Sequence, residues 1–165
     1  LYPNLEKIAA GDRSIETRLN LLLGSSCATV ALMNSGAGPA GALSYPLGVY
    51  FNVPHGLATS VFLPPVINYN VKNGYTDYST LYDLIDPTAT LSKTDKAVVF
   101  ADKIKGLSDS LKIPTTLTGF GLSTDEDYYK IINNTTKLQA AFDQNPVSFG
   151  PDQIRDIVFL LKEAI

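Results

Sequence analysis

Apolar residues recur every three or four positions along most of this chain, and no two-residue alternation is long enough for a sheet. Between Lys93 and Leu111, the apolar set is Val98, Val99, Ala101, Ile104, Leu107 and Leu111. This spacing places the apolar side chains on one face of an α-helix. With 165 residues, 45% of them hydrophobic, the chain is large enough for a core. The pattern predicts an all-α fold, a multi-helix bundle of roughly seven helices that forms a single domain over residues 1–165.

Seven segments are predicted to be helical, namely residues 14–33, 40–47, 56–68, 75–84, 93–111, 124–139 and 151–164. Ser14 is expected to cap the first helix, and Ser123-Thr-Asp-Glu126 is typical of a capping box. We expect Pro46 to end or kink the second helix, Pro64-Pro65 to break or bend the third, and residues 49–53 to form an extended link. The second half of helix 14–33 is apolar or small nearly all round, so it should be buried, together with Cys27.

Charge and cysteine content exclude several classes of function. The net charge is −3 and the pI about 5.0, and no basic patch is present, so we expect neither nucleic acid nor an anionic membrane as a partner. No apolar run is long enough for a transmembrane helix. Cys27 is the only cysteine, so no internal disulfide can form, which favours a reducing, cytoplasmic location.

The segment GAGPAGALSYPLGVYFNVPHG, residues 36–56, contains the only histidine, His55. A zinc or iron site needs three or four ligands, so His55 either contributes to an incomplete metal site or orders a turn through local hydrogen bonds. Tyr45 lies one helical turn after Gly41 and either lines a cleft or makes a core contact. The glycines at 36, 38 and 41 either admit a ligand or allow close helix packing.

The same segment, extended to Asn70, resembles the core motif of the iron-containing (group III) alcohol dehydrogenases, which belong to the dehydroquinate synthase-like superfamily. Family members typically have G-x-G-x-x-H-A-x-x-H-P-L-G, then P-H-G-x-A-N-A-x-x-L-P, then an aromatic residue and Asn. The matching residues here are Gly36, Gly38, Ala42, Pro46, Leu47, Gly48, Pro54, His55, Gly56, Ala58, Leu63, Pro64 and Asn70. Flanking segments around Ile113-Pro114-Thr115 and Asn145-Pro146 also resemble the family, so the likeness covers essentially the whole chain.

The resemblance implies a two-domain enzyme in which this chain corresponds to the C-terminal helical domain. The N-terminal α/β domain that binds NAD(P) in the family is absent from this chain. We therefore expect the given sequence to begin partway through such an enzyme. The metal, iron or zinc, is held in the family by an Asp and a His on an earlier helix and by two His in this motif. One of those two positions is Gly41 here and the other is His55, while a further active-site His falls at Tyr45 and an Arg at Val147.

These departures lead to two expectations. The first is a helical domain of an NAD(P)-dependent oxidoreductase for a small alcohol or aldehyde, with a degenerate metal site, in which Tyr45 lines the cleft and His55 is the remaining ligand. We expect the isolated chain to be inactive and to bind neither metal nor NAD(P). The alternative is a non-catalytic truncated or oligomerising domain. Expected partners are the N-terminal cofactor domain, or a second copy that forms a homodimer through an exposed apolar face.

Overall fold

The structure, a computed structural model, describes residues 1–162, and these contain helices and no β-strand, which confirms the all-α prediction. The α-helices are α1 (Tyr2–Ala9), α2 (Ile15–Met33), α3 (Gly38–Phe51), α4 (His55–Lys72), α5 (Tyr78–Ile85), α6 (Lys93–Ser110), α7 (Asp125–Thr135), α8 (Gln139–Phe142) and α9 (Pro151–Leu160), with a 3₁₀ turn at Leu117–Phe120. The nine α-helices of the described residues exceed the predicted seven because α1 and α8 are additional, and predicted helix 124–139 ends at Thr135, before α8 begins. Residues 163 and 164 of the last predicted helix lie outside the described residues.

Local capping signals set several helix starts. The Ser14 hydroxyl accepts a hydrogen bond from the Thr17 backbone N–H at 3.3 Å, which confirms the predicted cap of α2. The capping box of α7 is shifted by one residue from the prediction, because Thr124, with φ −117° and ψ 155°, is the extended residue that precedes the helix. Its partner is therefore Asp127, whose carboxylate accepts from the Thr124 N–H at 2.9 Å.

The prolines inside α3 and α4 neither end nor break these helices, so these two of the expected outcomes are wrong, while a kink at Pro46 and a bend at Pro64-Pro65 stay predictions. Helix α3 continues through Pro46 to Phe51, and α4 continues through Pro64 and Pro65 to Lys72. Residues 49–51 are therefore helical, and the link is confined to residues 52–54. A proline costs a helix one backbone hydrogen bond, but tertiary packing supplies most helical stability in a folded domain. Pro46 is buried, so that packing supports the helix at the point where the bond is lost.

The main core lies between α3, α4, α7 and α9. Its fully buried side chains include Leu43 and Leu47 of α3, Phe62 of α4, Ile131 of α7 and Ile154 of α9. A second, smaller cluster joins α4 to α5 and α6 through Ile67, Tyr82, Phe100 and Ala101. Helix α4 contributes to both clusters and therefore connects the two parts of the bundle.

A polar network ties the end of α4 to the segment before α9. The Asn70 side chain is 1% exposed, and its Nδ2 donates to the Tyr78 hydroxyl at 2.9 Å and to Asn145 Oδ1 at 3.0 Å. Asn145 Nδ2 donates back to Asn70 Oδ1 at 2.7 Å and to the Val147 carbonyl at 2.9 Å. Burial raises the pKa of the Tyr78 phenol, opposed by the Asn70 hydrogen bond. Two asparagines of the family-like segments thus serve a structural role.

Helix α2 is the main departure from the sequence-based prediction, because its apolar side chains are exposed instead of buried. Thr17 is the only buried residue of α2. Leu22 is 67% exposed and Met33 82% exposed, and Cys27 is exposed as well. The physical reason is that α2 packs chiefly against the short helix α1, so the other described elements leave most of its surface uncovered. Among residues 1–162, no helix is both long and apolar enough to cross a bilayer.

Candidate functional site

A tight turn between α3 and α4 places His55. Asn52 ends α3 in the left-handed conformation, with φ 53° and ψ 31°. Asparagine adopts this region more readily than most residues, because its short polar side chain can bond locally. Val53 is then buried, at 8% exposure, Pro54 is the N-cap of α4, and His55 is the first residue of that helix. The turn folds α4 back onto α3, so His55 returns to the middle of the preceding helix.

Two side chains of α3 lie beside the imidazole of His55. Its Nδ1 is 3.5 Å from the Ser44 hydroxyl oxygen. The rings of Tyr45 and His55 have centroids 6.1 Å apart and are tilted by 31°. Tyr45 is 53% exposed and His55 is also exposed, so both line an open surface and neither is a core residue. The structure therefore brings together the two site residues that the sequence singled out.

Gly41 lies on α3 one turn before Tyr45 and is buried. A Cβ atom added at this glycine would lie 2.7 Å from the Cβ of Ala37, a distance that real contacts do not reach. Any side chain at position 41 therefore requires the start of α3 to move. The local backbone is adapted to glycine, and the position offers no side-chain atom that could bind a metal. Of the other motif glycines, Gly38 has a φ of +61°, a conformation that favours glycine.

The described residues do not fit an iron or zinc ion. Residues 1–162 contain no group of three or more His, Cys, Asp and Glu side chains that could surround a metal. Asp12, one of the acids that precede α3, is occupied at the start of α2. Its carboxylate accepts from the Ser14 N–H at 2.7 Å and from the Thr17 hydroxyl at 2.7 Å. These bonds, the Ser14 N–H first, lower the pKa of Asp12 to about 2. His55 is thus the one motif ligand present, and a four-coordinate site needs three more.

Ser44 is the site residue that sequence reasoning missed. It is 1% exposed and lies on the buried face of α3, and its hydroxyl donates to the Gly41 carbonyl at 2.6 Å. The sequence predicted a short helix here, but it could not show that the turn at Asn52 brings His55 against the buried face of that helix. A cavity of about 350 Å³ between α4, α6 and α9 was also not predicted, and its lining includes neither Tyr45 nor His55.

The chain matches the sequence profile of the C-terminal part of the Fe-containing alcohol dehydrogenase family over residues 1–164. It is 27% identical over 158 residues to the NADPH-dependent butanol dehydrogenase of Clostridium saccharobutylicum, covering 93% of this chain and 39% of that protein. It is 28% identical over 155 residues to the 1,3-propanediol dehydrogenase of Citrobacter freundii, covering 93% and 40%. The chain thus spans about two fifths of the length of these curated relatives.

Solved structures give the same fold. The alcohol dehydrogenase from Oenococcus oeni superposes with a TM-score of 0.79 at 24% identity, over 95% of this chain and 40% of that one. A 1,3-propanediol oxidoreductase superposes with a TM-score of 0.66 at 26% identity, over 75% of this chain and 32% of that one. The helical arrangement described above is therefore that of a part of these larger enzymes.

The conformation of Asn52 gives a testable prediction. Asn52→Val should destabilise the fold by about 1–2 kcal/mol, because a β-branched residue is disfavoured in the left-handed region. Asn52→Gly is the matched control and should leave the stability within about 0.5 kcal/mol of wild type. Urea unfolding followed by far-UV circular dichroism measures both. Equal stability of the two variants would show that the turn does not depend on the left-handed residue.

Proposed function

Because this chain belongs to the iron-containing alcohol dehydrogenase family and corresponds to its C-terminal part, we propose that it forms the helical domain of an NAD(P)-dependent oxidoreductase for a small alcohol or aldehyde. The observation that carries the proposal is the full-length match to the C-terminal family profile. The similarity to a butanol and a propanediol dehydrogenase supports the substrate class. In such an enzyme hydride passes between nicotinamide and the carbon that bears the oxygen, and the helical domain lines the side of the cleft that holds this oxygen.

We propose further that the metal site of this enzyme is degenerate. The family motif has two histidine ligands, and the residues at these positions here are Gly41 and His55. At Gly41 the structure has no room for a side chain. Of the two positions, only His55 therefore has a side chain that can bind a metal. The oxygen of the substrate then needs another electrophile. The Tyr45 hydroxyl, on an exposed side chain next to His55, can donate a hydrogen bond to a carbonyl oxygen, directly or through a water. Such a donor stabilises the negative charge that develops on this oxygen during hydride transfer.

The cofactor is assigned to a second domain, and helix α2 is the surface proposed to contact it. The described residues of α2 expose Ile15, Leu19, Leu22, Leu23, Val30, Leu32 and Met33. An apolar face of this extent normally meets another protein surface. The chain spans about 40% of its relatives, so a cofactor-binding domain is the covering partner that the family supports. A cytoplasmic location, where the exposed thiol of Cys27 stays reduced, completes this proposal.

A second candidate function is non-catalytic, namely an oligomerising helical domain. The exposed apolar face of α2, together with the incomplete ligand set around His55, favours it. In this case a second copy of the chain covers α2 and forms a homodimer. The two candidates differ in what buries α2 and in whether Tyr45 contributes to turnover, so each can be tested directly.

Activity is the first test. The 165-residue chain alone should show no turnover with NAD(H), NADP(H) and a panel of primary alcohols and aldehydes, because its described residues contain no strand and so form no α/β cofactor fold. Fused to the unmatched part of the Citrobacter freundii 1,3-propanediol dehydrogenase, it should reduce 3-carbon and 4-carbon aldehydes. Tyr45→Phe should then lower kcat about 100-fold, the usual effect of removing one donor to a developing oxyanion.

Tyr50→Phe is the matched control, since Tyr50 lies on the same helix and is 47% exposed. It should leave kcat unchanged. Turnover by the chain alone would refute the predicted inactivity, and equal kcat for Tyr45→Phe and the parent fusion would remove Tyr45 from the mechanism. A folded fusion with no turnover at all would favour the non-catalytic alternative.

Metal content is the second test. After expression with added iron and zinc, the purified chain should contain well under one equivalent of either metal by mass spectrometric elemental analysis. Gly41→His should not raise this content and should destabilise the chain, because a side chain at position 41 collides with Ala37. One equivalent of metal that disappears in His55→Ala would contradict the degenerate site.

Self-association is the third test. Leu22→Glu places a charge on the face of α2, and the control Leu84→Glu places one on a leucine of α5 that is even more exposed, at 81%. If a second copy covers α2, sedimentation velocity will show a dimer that only Leu22→Glu dissociates. If the cofactor domain covers α2, two copies of the fusion will not associate through α2. Leu22→Glu will then weaken the contact between the two domains of the fusion. Identical sedimentation and thermal unfolding of both variants, in the chain and in the fusion, would rule out an interface at α2.

A further inference from the structure

The Ser44 hydroxyl lies between a backbone carbonyl and the only histidine. Ser44 is 1% exposed, and its Oγ is 2.6 Å from the Gly41 carbonyl oxygen and 3.5 Å from His55 Nδ1. A carbonyl oxygen can only accept a hydrogen bond, so the single hydroxyl hydrogen of Ser44 is donated to Gly41. Toward His55 the serine therefore presents only an oxygen lone pair.

This arrangement selects between the two neutral forms of the imidazole. In neutral histidine one ring nitrogen carries the hydrogen and the other carries a lone pair. If Nδ1 carried the lone pair, it would face the lone pair of Ser44 Oγ at 3.5 Å, which is repulsive. If Nδ1 carries the hydrogen, the same contact is attractive. The lone pair of His55 is then on Nε2, on the side of the ring away from the buried serine.

We propose that Ser44 is a positioning residue that holds His55 in the Nδ1–H form and leaves Nε2 as the hydrogen-bond acceptor at the candidate site. Since His55 is exposed beside Tyr45, a ligand reaches Nε2 from the open surface. The pair offers complementary groups, a phenol that donates and an imidazole nitrogen that accepts. An alcohol, whose hydroxyl both donates and accepts, fits this pair. The choice of an alcohol rests on the proposed function, whereas the form of the imidazole does not.

Nuclear magnetic resonance can measure the form directly, because the chain has one histidine and gives one set of imidazole signals. Long-range ¹H–¹⁵N correlation spectra of the ¹⁵N-labelled chain, recorded well above the ordinary titration range of imidazole, distinguish a protonated Nδ1 from a protonated Nε2. The wild-type chain should be mostly Nδ1–H. Ser44→Ala should change the ratio of the two forms about two-fold toward Nε2–H, because a contact of 3.5 Å is weaker than an ordinary hydrogen bond.

Two further variants separate positioning from structure. Ser44→Thr keeps the hydroxyl and should restore the wild-type ratio. Ser60→Ala removes a hydroxyl that donates to the Gly56 carbonyl at 2.7 Å on α4, without touching His55, and should leave the ratio unchanged. A wild-type chain that is mostly Nε2–H overturns the proposal whatever the variants do, and so does an unchanged ratio in folded Ser44→Ala. The measurement contains no cofactor, metal or substrate, so a failed activity assay and a failed tautomer assignment are separate results.

Discussion

The left-handed turn at Asn52 folds α4 back onto α3, and most of the described structure depends on that contact. Leu43 and Leu47 of α3 meet Ala58 and Phe62 of α4 in the main core, and all four are fully buried. Helices α7 and α9 pack onto this pair, and α4 continues into the second cluster with α5 and α6. The same turn places His55 beside Ser44 and Tyr45. Core packing and site geometry are therefore set by one three-residue link.

Local signals in the sequence predicted much of the fold. Ser14 caps α2 as expected, and the predicted helix 93–111 corresponds closely to α6. These features depend on neighbours within one helical turn, which a sequence displays directly. The sequence left open whether the prolines end their helices, because this outcome depends on tertiary packing. Pro46 is buried against the core, and no local rule reveals that support.

The environment of α2 and the site geometry were less accessible to prediction. An apolar helix is buried only if something covers it, and the described part of this chain supplies little besides α1. Tyr45 and His55 were singled out from the motif, and their proximity depends on the Asn52 turn. Ser44 was missed because a serine on an apolar helix face carries no functional signal until its partner in space is known.

The motif that resembles the family owes much of its form to packing. Pro39 and Pro46 are buried in α3, Gly41 packs against Ala37, and Gly38 adopts a positive φ. Each of these positions constrains the backbone and needs no metal to explain it. Metal chemistry, in contrast, requires side chains that converge on one point, and of these the described motif retains His55. The residues that set the backbone of the motif are thus different from those that bind a metal. A chain can keep the backbone residues and lack the metal ligands. For this reason the motif is strong evidence for the fold, while the proposed activity is a separate question that concerns Tyr45, His55 and Ser44.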